Sequence, residues 1–253
     1  MKHSFSIGFI AIALAATHLV APAQTTSTVA EAQAVNPAIV PVSRPSGKGL
    51  ERQNVVMERA KAAPGTYDIV FIGDSITQGW ERSGSNVWTK FYGDRKCLNL
   101  GVGGDRTEHV LWRFENGQLD GLDPKVAVLM IGTNNSNINK DGSEHYSTGQ
   151  ILEGVQTVVK QIRERLPQTK LLVLGIFPRS TTFSPQRGRL LQINQALAKQ
   201  ADGKMIHYLD FGSQLVEADG SISKDIMPDH LHLSEKGYEI WANAIEPKLK
   251  ELL

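Results

Sequence analysis

A parallel α/β fold with helices on both faces of the sheet is what this 253-residue sequence predicts. Five short apolar runs, at residues 69–72, 97–100, 126–131, 171–176 and 205–209, are bounded by glycine and polar corners, and runs of that length read as buried strands. Segments of helical spacing separate them, and strands alternating with helices at this interval build a parallel sheet. The run Val126-Ala-Val-Leu-Met-Ile131 is apolar without interruption, as expected of a strand covered on two faces.

The elements follow in order. Lys2 and His3 precede an apolar stretch over residues 5–20 and then Ala21-Pro-Ala23, a charged start, apolar run and small-residue site of the secretory kind. Residues 1–23 are therefore read as a signal peptide and the protein as periplasmic or secreted. A membrane anchor fits less well, because Thr17 and His18 interrupt a run already short of the roughly 20 residues a spanning helix needs. Residues 24–49 show neither period and read as a flexible leader, and residues 50–253 as one domain. Residues 50–62 carry Leu50, Val55 or Val56, and Met57 at helical spacing, stopped by Pro64-Gly65. The first strand, 69–72, breaks at Gly73-Asp74-Ser75. Trp88, Phe91 and Tyr92 mark a short helix closed by Gly93, with its aromatics in the core; Trp80, nearer Ser75, is either core or a platform for ligand.

The second strand, 97–100, leads into Gly101-Val-Gly103-Gly104-Asp105 and a helix with Val110, Leu111 and Phe114 on one face. The third ends at Gly132-Thr-Asn134-Asn135, followed by a polar loop over 136–149 and an amphipathic helix over 151–166 that Pro167 stops. The fourth strand ends near Phe177-Pro178-Arg179, a helix spans about 189–199, the fifth strand is 205–209, and a loop runs to His232. Ser234 is placed to cap the closing helix.

With 27 basic against 26 acidic residues there is no electrostatic footprint for nucleic acid. The single cysteine, Cys97, lies in an apolar strand and reads as a small hydrophobe rather than a disulfide partner or nucleophile.

Ser75, Gly104, Asn134 and the pair Asp229/His232 each fall just beyond a strand or in the loop following one. A parallel sheet gathers such positions on its carboxyl edge. Acyl transfer needs a nucleophile, a base, a group that orients the base, and donors for an oxyanion. Ser75 fits the first role, His232 the second and Asp229 the third, with the Ser75 and Gly104 N–H groups and the Asn134 amide as oxyanion donors; no metal is required. Each residue also has a plainer reading: Asp74 and Ser75 as a turn and helix cap, Gly104 as a turn residue, Asn134 as a cap, and Asp229 as a turn residue after Pro228. His230 and His232 have the look of two metal ligands but lack companions at metal-site spacing. The glycines at 101–104 hint at a dinucleotide loop, but its third glycine would fall at Arg106.

In these blocks the sequence resembles the SGNH, or GDSL, hydrolase superfamily: Gly73-Asp74-Ser75, Asn99 to Asp105, Gly132-Thr-Asn134-Asn135 and Asp229-His-Leu-His232 stand in that family's order. The stretches Gly104 to Arg113, Asn116-Gly117 and Leu231 to Tyr238 resemble the catalytic subunits of the intracellular platelet-activating factor acetylhydrolases and their bacterial relatives, a similarity covering about residues 50–250. The resemblance implies a flavodoxin-like three-layer α/β/α sandwich with a five-stranded parallel sheet, no cofactor, and hydrolysis of short acyl esters. It implies the roles above for Ser75, Gly104, Asn134, Asp229 and His232, and a homodimer as one possible assembly.

The expectation is an exported serine esterase acting on acetyl or similarly short esters of a small molecule or saccharide, without nucleic acid and without stable membrane insertion after signal removal. Trp80 and Phe177 are the candidates for narrowing the acyl side. A short-chain phospholipid or lipid acylhydrolase is the alternative within enzymes, although no long apolar lid is evident. A non-catalytic carbohydrate-binding module is the alternative outside them, against which stands the full set of nucleophile, base and donors.

Overall fold

The computed structural model of the protein describes residues 1, 3, 35–62 and 65–253. The signal-peptide reading and the first part of the leader fall almost wholly outside the described residues. Residues 35–49, placed in the leader by sequence, pack onto the domain. Asn36 accepts the Ala38 N–H (2.9 Å) to start a 3₁₀ turn at Pro37–Ile39, and its amide donates to Glu153 (2.8 Å) and to the Gln150 carbonyl (3.1 Å). Ala38 is fully buried, and its carbonyl accepts the Thr107 hydroxyl at 2.7 Å.

The elements from there are α1 (Gly47–Ala62), β1 (Ile69–Gly73), α2 (Ser75–Gln78), α3 (Ser85–Tyr92), β2 (Cys97–Asn99), α4 (Thr107–Glu115), β3 (Val126–Met130), α5 (Thr148–Arg165), β4 (Lys170–Leu174), α6 (Pro185–Leu197), β5 (Ile206–Leu209) and α7 (Glu235–Leu252). The five strands form one sheet in the order β2-β1-β3-β4-β5, every pair parallel. This is the flavodoxin-like order, in which the chain reverses direction across the sheet beside β1.

Strand alternation divides the core in two. Val70, Ile72, Ala127, Leu129, Leu171 and Val173 face one cluster with side chains of α1, α4, α5 and α6. Ile69, Phe71, Val126, Val128, Met130 and Leu172 face the other, with α3 and α7. The result is a three-layer α/β/α sandwich. Among the described residues no helix is long and apolar enough to cross a membrane.

Helix boundaries follow their caps. Ser234 accepts the Gly237 N–H, as its position suggests. α5 begins before the residue that periodicity marks, because Ser147 and Gln150 close a reciprocal capping box. α6 likewise starts early, at Pro185, where the ring sets φ for the first helical position and Ser184 caps it. β4 stops short of Ile176, because the Asn194 side chain takes both the N–H (2.8 Å) and the carbonyl (2.9 Å) of Ile176 in place of a neighbouring strand.

Candidate active site

β1 delivers the chain to a corner that only glycine can turn. A Cβ on Gly73 would lie 2.1 Å from the Thr77 hydroxyl oxygen and 2.4 Å from the Met130 carbonyl. Asp74 then caps α2 by accepting the Ile76 N–H at 2.9 Å, which sets Ser75 as the first helical residue. An N–H at that position has no acceptor within its own helix. Tyr238 of α7 buttresses the corner from the other side, its hydroxyl donating to the Ile76 carbonyl at 2.6 Å.

From the loop before α7 comes the second half of the site. Asp229 Oδ1 accepts the N–H groups of Leu231 (3.1 Å) and His232 (2.7 Å), folding the carboxylate back over its own turn. His230 sits between them with φ 58°, a conformation most side chains avoid. Its ring turns away and donates from Nδ1 to the Ile222 carbonyl at 3.2 Å. The His232 ring turns in, with Nδ1 2.6 Å from Asp229 Oδ2 and Nε2 2.9 Å from Ser75 Oγ. Donation from Nδ1 to the carboxylate leaves Nε2 free to accept the serine proton. Burial works to raise the Asp229 pKa, but hydrogen bonds from the His232 ring and from backbone N–H groups outweigh it and hold the carboxyl below its ordinary value.

The glycine loop after β2 closes the third side. Gln78 Oε1 accepts the Gly103 N–H at 2.7 Å, and Asn99 accepts the Gly101 N–H (2.8 Å) while donating to the Thr77 carbonyl (3.0 Å). These bonds tie the loop to α2, so that a Cβ on Gly103 would be 3.9 Å from the Ser75 Cβ. Gly104 has φ 76°, and its N–H has no acceptor among the described residues. From β3, Asn134 donates one amide N–H to the Asp105 carbonyl at 2.9 Å, which fixes the amide and leaves its second N–H available. The loop is anchored below by a fully buried ion pair between Arg113 and Asp105.

Ser75 and His232 open onto a cavity of about 350 Å³ whose wall includes Gln78, Arg82, Gly103 and Leu233. Trp80 and Phe177 do not line it, and both substrate-binding expectations are corrected. Trp80 is five residues beyond Ser75, roughly 140° further around a helical path. It is fully buried against Tyr238 (ring centroids 4.5 Å apart) and Trp241 (4.9 Å). Phe177 is buried between Phe211 (4.9 Å) and Trp241 (5.2 Å) on the same core face. Sequence reading missed Gln78, Asn99 and Tyr238; the first two lie inside or beside the nucleophile and glycine blocks, which was the available signal. Cys97 is half-buried, and burial pushes its thiol up to about 12, in keeping with an inert side chain.

Asp74 carries a pH consequence. Burial raises its pKa to about 7, opposed by the Ile76 N–H and by Arg179 and reinforced by Asp105. Between the ordinary carboxyl range and about pH 7 the folded protein keeps a proton that the unfolded chain has lost, so this group makes stability fall as pH rises through that window. Asp74→Asn retains an acceptor for Ile76 and removes the titration. Its Tm, relative to the parent, is expected to be several degrees higher at pH 8 than at pH 5. Equal differences at both pH values in thermal unfolding would contradict the assignment.

A model of the GDSL-like lipase/acylhydrolase family matches residues 71–240. Platelet-activating factor acetylhydrolase IB subunit alpha1 of Homo sapiens is 37% identical over 187 residues, 74% of this chain and 77% of that protein. The alpha2 subunit of Rattus norvegicus is 33% identical over 228 residues, 86% of this chain and 92% of that protein. Among solved structures, a GDSL-like lipase from Bacteroides thetaiotaomicron superposes with a TM-score of 0.65 at 16% identity, covering 79% of this chain and 98% of that one. Est24, a carbohydrate acetylesterase from Sinorhizobium meliloti, does so with a TM-score of 0.54 at 18% identity, covering 74% and 100%. The expected periplasmic or secreted location is corrected by these relatives, since the acetylhydrolase subunits matched over most of the chain are of the intracellular kind. Match and identity over most of its length establish that the chain belongs to the GDSL-like lipase/acylhydrolase family of ester hydrolases.

Proposed function

We propose that the protein is a serine esterase that removes acetyl or similarly short acyl groups from a saccharide. The observation that carries the reading is the continuous hydrogen-bonded chain from Ser75 Oγ through His232 to Asp229, opening onto a cavity. In this mechanism Ser75 Oγ attacks the ester carbonyl while His232 Nε2 takes its proton. The Ser75 and Gly104 N–H groups and the Asn134 amide meet the oxyanion, and the imidazolium, steadied by Asp229, returns the proton to the departing alcohol. Water then adds to the acyl-enzyme by the same route, regenerating the serine and releasing the acid.

The cavity supports a short acyl group. Its apolar side chains are Leu233 and Tyr238, both buried in the body of the domain, and the remainder is glycine, hydroxyl, amide, imidazole and cationic groups. A long acyl chain gains affinity by removing apolar area from water, at roughly 25 cal/mol per Å², and this wall sets two apolar side chains, Leu233 and Tyr238, against it. Acetyl esters are therefore expected to exceed octanoyl esters of the same alcohol in kcat/KM by about tenfold, since a pocket fitted to two carbons penalises added methylenes. Equal or higher kcat/KM for the eight-carbon ester would overturn the short-acyl reading.

Release of acetate from a panel of acetylated sugars, polysaccharides and glycerophospholipids at matched concentrations tests the saccharide reading. The names of the acetylhydrolase relatives favour a second reading, a short-chain phospholipid acylhydrolase; turnover confined to the phospholipids would select it.

A further inference from the structure

We propose that the alcohol portion of the substrate carries negative charge, a carboxylate or a phosphate, held by Lys48 and Arg82; this rests on the reading of Ser75 as nucleophile for a short acyl group. Both cations line the cavity that Ser75 and His232 share, and no carboxylate side chain lines it. Both are exposed, and neither makes a side-chain hydrogen bond or ion pair to any described residue. Their basic neighbours are all engaged: Arg52 (2.8 Å) and Arg59 (2.5 Å) pair with Glu81, and Arg44 donates to the Gly104 carbonyl at 3.0 Å. The whole chain is nearly neutral, at 27 basic against 26 acidic residues. An acid-free wall with two unpaired cations is thus a local feature, not a reflection of overall charge.

Lys48 is also placed against its own helix. It is the second residue of the 16-residue α1, whose first turn contains no acidic side chain. A cation there opposes the helix dipole, whose positive end favours anions. A bound anion reverses that sign for Lys48, and Arg82 lines the same cavity. An acetyl group has no room for a charge of its own, so the anion belongs to the alcohol. In a small acetylated sugar such a charge is carried by an acidic ring substituent or by an anionic ester such as a phosphate. The cations then draw the ester toward Ser75 by its leaving group, which affects capture of substrate more than the chemical step.

The test compares three acetyl esters: a monoacetylated methyl glucuronoside, a monoacetylated glucose 1-phosphate and a monoacetylated methyl glucoside. They are assayed with the parent, with Lys48→Ala/Arg82→Ala, with Lys48→Arg, and with Lys160→Ala as a remote charge control. The expected result is a kcat/KM for at least one anionic ester about tenfold above that of the neutral ester, compressed by 0.5 M salt. The ratio should fall to about twofold or less in the double variant, stay near the parental value in Lys48→Arg, and be unmoved in Lys160→Ala. Which anionic ester leads separates carboxylate from phosphate. Turnover of all three at equal kcat/KM, or a preference surviving in the double variant, would overturn the charge inference while leaving the esterase reading intact. Turnover of none defeats the esterase reading, and calorimetric binding of methyl glucuronoside, glucose 1-phosphate and methyl glucoside then decides the charge inference. Anion-favoured binding lost in the double variant upholds it, and equal binding of the three refutes it.

Discussion

Ser75→Ala and His232→Ala are each expected to lose on the order of 10⁴ or more in kcat on one acetyl ester, and the double variant to be scarcely worse than either alone. The expectation follows from geometry. Nε2 of His232 lies 2.9 Å from Ser75 Oγ, and Nδ1 is held 2.6 Å from Asp229 Oδ2, so nucleophile and base act as one unit. Removing either leaves only binding and the oxyanion donors. His230→Ala is the necessary contrast. Its ring faces the Ile222 carbonyl instead of the serine, and the variant should stay within about tenfold of the parent, a barrier change near 1.4 kcal/mol. Relief of the left-handed backbone at this position is not obtained with alanine, so folding of each variant is checked by circular dichroism before kinetics. Near-parental activity in His232→Ala with collapse in His230→Ala would require the triad to be redrawn.

Asn134→Ala is expected to lower kcat by about 10²–10³ with much less change in KM. A donor aimed at an oxyanion matters most once charge has developed on the carbonyl oxygen, and removing one such donor typically has this effect. The bond from Asn134 to the Asp105 carbonyl fixes the amide plane before substrate arrives, so no reorganisation is needed during reaction. Asp105 is in turn held by the buried Arg113 beneath the glycine loop. A variant with unchanged kcat and a raised KM would reassign Asn134 to ground-state binding. Asn134→Asp offers a sharper form of the same test: it keeps the size of the side chain but puts an acceptor and a negative charge where a donor is needed, and it should be at least as impaired as the alanine variant.

Much of this site lies open in the sequence because its parts are locally encoded. A glycine that alone can turn at residue 73, an aspartate that caps the next helix, and an Asp-x-x-His turn each work within a few residues of themselves. The sheet then brings them together without further instruction, since the carboxyl ends of parallel strands share one edge. The assignment of Trp80 to the acyl side failed for the complementary reason, while the aromatics at 88–92 pack with the core as their spacing predicts. Trp80 is near Ser75 along the chain, but helical rotation and the large gain from burying an indole carry it into the core beneath the cavity wall, against Tyr238 and Trp241 of α7.

By itself, then, the sequence determined five strands with their intervening helices, the Gly-Asp-Ser corner, the glycine and asparagine loops and the Asp229–His232 turn, because apolar period, capping and turn chemistry act over short stretches. Only the tertiary structure decided that residues 35–49 dock on the body, that the His230 ring faces away while that of His232 faces Ser75, and that Trp80 and Phe177 are core while Lys48 and Arg82 border the cavity. Those outcomes depend on which way a side chain faces once distant elements have packed, and that direction is set by contacts between residues far apart in the chain.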